Sequence, residues 1–329
     1  MRLLSETDVA RLLDGRALIE ASAAAYRAIA DGSAETPLRT EFLRPETGGV
    51  IFVMPSLIGG RLFGLKLIAN RTDEAGDLAT TALVLLMDAR TLEVRGLVAA
   101  DLLTDYRTAA GLAAAVDVLA PPRIATHALY GAGKLAGPSA LLIQEVRPAE
   151  TLLLIGRTPQ RVERLAGWLR AQPRFAGVTV RTDVGADEAA ATADLVTCVT
   201  TATTPLFDGR RLRGGTHVTV GGAFHPGARE VDDAVAGRAR VFADSMPACL
   251  ERAGDLVQPL ASGTMRRAQV EAEIGAVLAG SYRFVRGPDD VTLFKSLGAA
   301  AQDLVTAEHL LEAAERQGLG LTFDLHPSA

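Results

Sequence analysis

The chain has 329 residues, a net charge of −5 and 48% hydrophobic residues, enough to bury a sizeable core and to divide into two domains. Its apolar runs are broken by Asp, Arg or Gly well short of the roughly 20 residues a membrane-spanning helix needs, and its charges form no Lys/Arg cluster that would give nucleic acid a footprint. Cys198 and Cys249 are its two cysteines, and the histidines at 127, 217, 225, 309 and 326 form no ligand spacing, so neither a disulfide framework nor a metal site is expected. The first residues lack the basic and apolar regions of a signal peptide. The expectation is a cytoplasmic protein whose partners are small molecules, not nucleic acid or membrane.

In chain order, residues 5–30 predict two helices, the first capped by Ser5 with Asp8 three residues on, the second set off by Asp14-Gly15. RTEFLRP, VIFVMP, RLFGLKLIA, TTALVLLMD and VRGLVAAD then alternate or run apolar between Gly, Pro and Asp, which predicts an antiparallel sheet. A helix rich in small residues follows from Thr104 and ends before Pro121-Pro122, the expected domain boundary. Beyond it the rhythm is strand, turn, helix: THALY and SALLIQEV, TLLLI and PQRVERLAGWLR, then VTV, ADLVTCV, HVTVGG and ARVFADS. Such alternation predicts an α/β domain, a doubly wound parallel sheet with helices on both faces, over residues 121–299. FKSLGAAAQDLVTAEHLLEAAERQG reads as one long helix returning to the first domain, an α+β domain built discontinuously from residues 1–120 and 300–329.

After the first strand of the second domain stands Gly131-Ala132-Gly133-Lys134-Leu135-Ala136, the G-x-G-x-x-A form of the dinucleotide fingerprint. The first glycine permits a tight turn, the second admits a pyrophosphate to the backbone N–H groups, and the small third residue lets helix and strand pack closely. The next strand ends without the acid that would bind the ribose hydroxyls of NAD. Arg157, Thr158 and Arg161 stand there instead and could meet a 2′-phosphate, so NADP(H) is expected over NAD(H). Thr200 and Thr201, after ADLVTCV, are further candidates for cofactor contact.

Upstream, Lys66 sits in the apolar run FGLKLIA, and Arg107 stands near the start of a helix, where the dipole disfavours a cation but favours a bound anion. One carboxylate would explain both, with Arg39 of TPLRTEFL as a third contributor. Singly, each has a plainer reading: Lys66 could snorkel from an edge strand, Arg107 cap a carbonyl, and Arg39 lie on the surface.

The chain resembles the ornithine cyclodeaminase and mu-crystallin family in six motifs that follow one another in order: MP at 54–55, GLKLIANR at 64–71, LLTDYRTAAGLAAAVDVLA at 102–120, GAGKLAG at 131–137, VGGAFHPGAREVDD at 220–233 and FKSLGAAAQDLVTA at 294–307. The resemblance implies a homodimer whose active site lies between a substrate domain and a Rossmann domain. It implies that Arg39, Lys66 and Arg107 grip a substrate carboxylate, that Lys66 serves as proton donor, and that Thr108, Lys295 and Ser296 approach the cofactor.

Two departures from the family pattern bear on the reaction. Ornithine cyclodeaminases carry a glutamate close before the MP pair, where this chain reads Val50-Ile51-Phe52-Val53, and an aspartate ahead of the later Pro-Gly, where Phe224 stands. A phenyl ring can neither transfer a proton nor hold an amine; His225, next to it, is a possible acid. Without those acids the chemistry expected is a single hydride transfer from NAD(P)H to a C=N carbon beside a carboxylate, on a cyclic imino acid such as 1-pyrroline-2-carboxylate or 1-piperideine-2-carboxylate, or a related amino-acid dehydrogenation. Phe52, Met54 and Phe224 would give the substrate an apolar wall. The alternatives are a cyclodeaminase-type ammonia lyase and a non-enzymatic NADP-binding protein of the crystallin kind.

Overall fold

The computed structural model describes residues 1–72 and 78–325; His326 lies outside them. The chain forms two compact units, one of Met1–Arg107 with the chain from Ala299 on, the other of Thr108–Gly298. The division thus falls inside a continuous helix, thirteen residues before the Pro121-Pro122 boundary read from the sequence.

The first unit opens with β1 (Arg2–Leu4), α1 (Glu6–Leu12) and α2 (Gly15–Ala30). Ser5 and Asp8 form a reciprocal capping box on α1, and Asp14 accepts from the Ala17 N–H at 3.1 Å to cap α2. Strands β2 (Ala34–Glu35), β3 (Thr40–Arg44), β4 (Gly49–Ile58), β5 (Leu62–Thr72), β6 (Leu78–Asp88) and β7 (Val94–Ala99) follow, then α3 (Asp101–Leu119), which carries Arg107 and Thr108 across the division.

The second unit contains β8 (Ile124–Tyr130), α4 (Ala136–Val146), β9 (Ala149–Ile155), α5 (Pro159–Arg170), β10 (Thr179–Arg181), α6 (Ala186–Thr192), β11 (Leu195–Cys198), β12 (His217–Val220), α7 (Asp233–Arg238), β13 (Arg240–Ala243), α8 (Met246–Arg252), α9 (Gly254–Ser262), β14 (Val270–Glu273), α10 (Ile274–Leu278) and β15 (Thr292–Lys295). Its strands form one parallel sheet in the order β10-β9-β8-β11-β12-β15-β13-β14, whose first five members follow the doubly wound order and whose sixth place is taken by the unit's last strand, β15. Strand β15 corrects one reading of the sequence: FK, expected as the start of the last helix, belongs to a strand between β12 and β13. Thr292, Leu293, Phe294 and Lys295 are all buried, and a run covered on both faces carries no alternation to tell it from a helix.

The chain then returns to the first unit through α11 (Ala300–Gln317) and β16 (Leu321–Thr322). The sheet of that unit runs β16-β1-β7-β6-β5-β4-β2, with β3 also on β4, and is antiparallel except where β1 joins β7. Helix α11 lies on its inner face, where glycines let the backbones approach: a Cβ at Gly96 would stand 2.7 Å from Leu311 Cδ2, and one at Gly64 would press into the Leu85 carbonyl and lie 3.2 Å from Leu304 Cγ. Glu308 of α11 accepts from Arg61 at 2.6 and 2.9 Å and from Arg95 at 2.5 Å, fastening the helix to the strand ends.

Candidate active site

In the first unit the strand period of two sets Phe52, Met54, Lys66 and Ile68 on the inner face, with Met54 opposite Lys66 and Phe52 opposite Ile68. Lys66 is 1% exposed, and its Nζ donates to Asp303 Oδ1 at 2.8 Å. Arg107 Nε donates to the same oxygen at 2.7 Å. The anion immediately before Lys66 is therefore Asp303 of α11, a residue the sequence reading did not single out. A signal was there: Asp303 is the one charged residue between Lys295 and Glu308.

Two buried cations share one buried carboxylate, which leaves a positive surplus in a medium that solvates it poorly. Arg39 adds to it, close enough to act on Lys66, with its guanidinium 5.0 Å over the Phe52 ring and its Nε 4.0 Å from Glu41. Burial, then Arg107, push the Lys66 ammonium down to about 8, while Asp303 pulls the other way. Arg107 Nη1 and Asp303 Oδ2 are buried without a protein hydrogen-bond partner. A surplus of positive charge with an unused guanidinium donor is chemistry that a carboxylate ligand fits. Arg39, Lys66, Arg107 and Met54, dispersed in sequence, are thus held in one unit, three of them on or beside one patch of sheet.

In the second unit, Gly131 directly follows β8 with φ 123° and donates its N–H to Ile155 O at 2.8 Å; a Cβ there would stand 2.6 Å from Val199 O. A Cβ at Gly133 would meet nothing within 4 Å, so that side of the turn is open, ahead of the N-terminus of α4. Leu135 is the N-cap position, Ala136 is fully buried, and a Cβ at Gly137 would lie 2.9 Å from Trp168. An open glycine at the amino end of a helix that packs tightly on its sheet accommodates a dinucleotide's pyrophosphate. Lys134, Arg157, Thr158 and Arg161 are exposed around it. Thr158 is the N-cap position of α5, ahead of Pro159, and Arg157 lies in the short connection between the carboxyl end of β9 and that helix.

The loops after β11 and β12 are tied down from inside. Glu230, fully buried, accepts from the Thr200 N–H and hydroxyl at 2.5 and 2.8 Å and from the Gly222 and Ala223 N–H groups at 2.8 and 2.9 Å. The resemblance brings Lys295 toward the cofactor; within the protein its side chain is already engaged. Its ammonium is fully buried and donates to Asp255 at 2.7 Å and to Ala223 O at 2.6 Å. Burial opposes its charge, but Asp255 and Glu230 outweigh burial and hold Lys295 protonated. Ser296 likewise gives its hydroxyl to Asp244 at 2.8 Å, and Asp244 also accepts from the Leu297 and Gly298 N–H groups. Lys295, Ser296 and the Thr200 hydroxyl are spent on shaping loops; Thr201 is exposed. Glu230, Asp244 and Asp255 escaped the sequence reading because acids in a loop-rich stretch look solvated until the fold buries them.

Phe224 is half-buried in the loop after β12, and His225 is exposed, its Nδ1 accepting from the Gly227 N–H at 3.0 Å. His127 and His217 are interior, bonded to Thr197 at 2.9 Å and Thr292 at 2.7 Å; burial pushes His127 down to about 3. Among the described residues no three His, Cys, Asp or Glu side chains are grouped to hold a metal ion, and no helix is long and apolar enough to cross a membrane.

Comparison with known proteins gives these parts a common context. The chain is 29% identical over 324 residues to a Delta(1)-pyrroline-2-carboxylate reductase of Bacillus cereus, covering 97% of this chain and 98% of the relative. It is 29% identical over 293 residues to the ketimine reductase mu-crystallin of Mus musculus, covering 88% of each. Among solved structures, the Delta(1)-pyrroline-2-carboxylate reductase of Thermococcus litoralis, in complex with NADH and L-proline, superposes with a TM-score of 0.92 at 28% identity, over 98% of this chain and 100% of that one. The model of the ornithine cyclodeaminase/mu-crystallin family matches residues 1–318, and the chain belongs to that family.

Proposed function

We propose that this protein is an NAD(P)H-dependent reductase of cyclic imino acids, with 1-pyrroline-2-carboxylate or its six-membered analogue as substrate. The observation that carries the reading is the pair of buried cations, Lys66 and Arg107, on the single carboxylate of Asp303. The reductases among its relatives act on C=N carbons, two of them beside a ring carboxylate.

A nicotinamide cofactor, once bound at the glycine turn of Gly131 and Gly133, would supply the hydride for the imine carbon. Arg107, with Arg39, holds the substrate carboxylate and so fixes the face of the C=N bond. Lys66 keeps a proton at the imine nitrogen, the proton that the product needs when C=N becomes CH–NH. Phe52 and Met54, both buried beside Lys66 on the inner face, suit an uncharged ring. Arg157, with Thr158 and Arg161 nearby, supports a preference for NADP(H) over NAD(H), since no acid closes the strand to a 2′-phosphate. The protein works as a homodimer in the cytoplasm.

The test is oxidation of NADPH and of NADH at 340 nm with the purified protein and a panel of five- and six-membered cyclic imino acids, beside ornithine with NAD and an ammonia assay. The reading expects cofactor oxidation on an imine and no ammonia, and the ratio of the two kcat/KM values decides the cofactor. Ammonia and proline from ornithine would replace it with the lyase. Tight cofactor binding without turnover on any imine would replace it with a non-enzymatic binding protein.

A further inference from the structure

Nothing in the cation-clamp reading explains why an acid should sit under the clamp, where it competes with the substrate for both cations. Asp303 lies in the first turn of α11, fully buried, and a single one of its oxygens takes Lys66 Nζ at 2.8 Å and Arg107 Nε at 2.7 Å. Its second oxygen is buried without a protein partner, as is Arg107 Nη1. A carboxylate has two oxygens to offer, and this one gives a single oxygen to both cations. Gathering Lys66 and Arg107 on one oxygen orients them: the guanidinium is held by its Nε edge, which leaves Nη1 for another acceptor.

We propose that Asp303 is a positioning residue for the reduction, holding Lys66 protonated and Arg107 edge-on so that the two cations together receive the substrate's carboxylate and imine nitrogen. The inference rests on the reductase reading for its substrate and on geometry for its residues. The charged groups facing Lys66 are Asp303 from α11, Arg107 from α3 and Arg39 from the segment before β3. Of these Asp303 is the anion, so removing its charge leaves burial and two guanidiniums acting in one direction on the ammonium, toward loss of its proton.

The experiment uses the full chain and three proteins: wild type, D303N and D303E. The first readout is the Lys66 ammonium followed by 15N NMR of lysine-labelled protein across pH 6 to 11, identified by its absence from K66M; it needs no turnover. The second is the pH profile of kcat/KM for 1-pyrroline-2-carboxylate, with reduced-cofactor binding by fluorescence as the control for folding. The expected result is a Lys66 titration in wild type that moves at least tenfold in acidity in D303N, an alkaline limb of kcat/KM that moves with it, a raised KM, and unchanged cofactor binding. D303E, which keeps the carboxylate, is expected to return the limb toward wild type, and it decides the matter should D303N fail to bind cofactor. A Lys66 titration unaltered in D303N, or a D303E protein no better than D303N, overturns the proposal. A wild type inert toward every imine overturns the reductase reading instead, while the NMR titration still decides whether Asp303 governs Lys66.

Discussion

Lys66 is a cation that its surroundings make reluctant to stay one. With its ammonium near 8, it is protonated below that pH and loses its proton as the pH rises through it, so a reaction that needs Lys66 charged declines on the alkaline side. Its effect on stability has the opposite sign from a strengthening ion pair. The folded value lies below the ordinary 10.5, so the unfolded chain binds more protons between the two, and stability rises with pH across that window. Perturbed cations of this kind cluster at functional sites. Lys66→Ala and Arg107→Ala are each expected to lose about 2 to 5 kcal/mol of transition-state binding, a fall of about 30-fold to several thousandfold in kcat/KM, with cofactor binding intact by fluorescence. Unchanged kinetics in both variants would show that the substrate carboxylate is held elsewhere.

Among the elements, α11 has the largest influence on the cationic centre, because it delivers Asp303 to a sheet formed more than two hundred residues earlier in the chain. Its depth on that sheet is set by Gly64 and Gly96, and its rotation by Glu308 on Arg61 and Arg95. Gly64→Ala forces the added methyl into backbone of β6 and the Leu304 side chain, so the helix must lift. The expected cost is about 1 to 3 kcal/mol, read as a lower denaturation midpoint at unchanged slope, accompanied by a raised KM as Asp303 withdraws from Lys66 two residues along the same strand. A Gly64→Ala protein of wild-type stability and KM would show that α11 does not seat the acid. The capped helices α1 and α2 and the antiparallel order of β3 to β7 were legible beforehand, since caps, turn residues and a period of two are local signals. Strand β15 was not, because burial on both faces erases the period.

For the whole molecule, the outer face of the first unit's sheet is apolar in three rows across four strands. Val53, Leu67, Leu83 and Ala99 form one; Pro55, Leu65, Leu85 and Leu97 the next; Leu57, Phe63, Met87 and Val94 the third. These alternate with the residues under α11, and Leu67 is 37% exposed. A contiguous apolar face of this kind, offered by every copy, supports the homodimer proposed above. Leu67→Asp and Leu85→Asp, on neighbouring rows, are expected to convert a dimer to a monomer by size-exclusion chromatography with light scattering; dimers that persist in both would place the interface on another surface.

The sequence by itself determined the α/β class, the G-x-G-x-x-A turn, the missing ribose acid at Arg157 and the family, because these live in short spans whose chemistry is local. It also marked Lys66 and Arg107 as cations in want of an anion. Only the tertiary structure decided which anion lies in the chain, since Asp303 meets them across a separation in sequence that no periodicity spans. The same holds for Lys295, Ser296 and Thr200: a polar residue beside a motif looks available for a ligand, and only burial shows that Asp255, Asp244 and Glu230 have already claimed it.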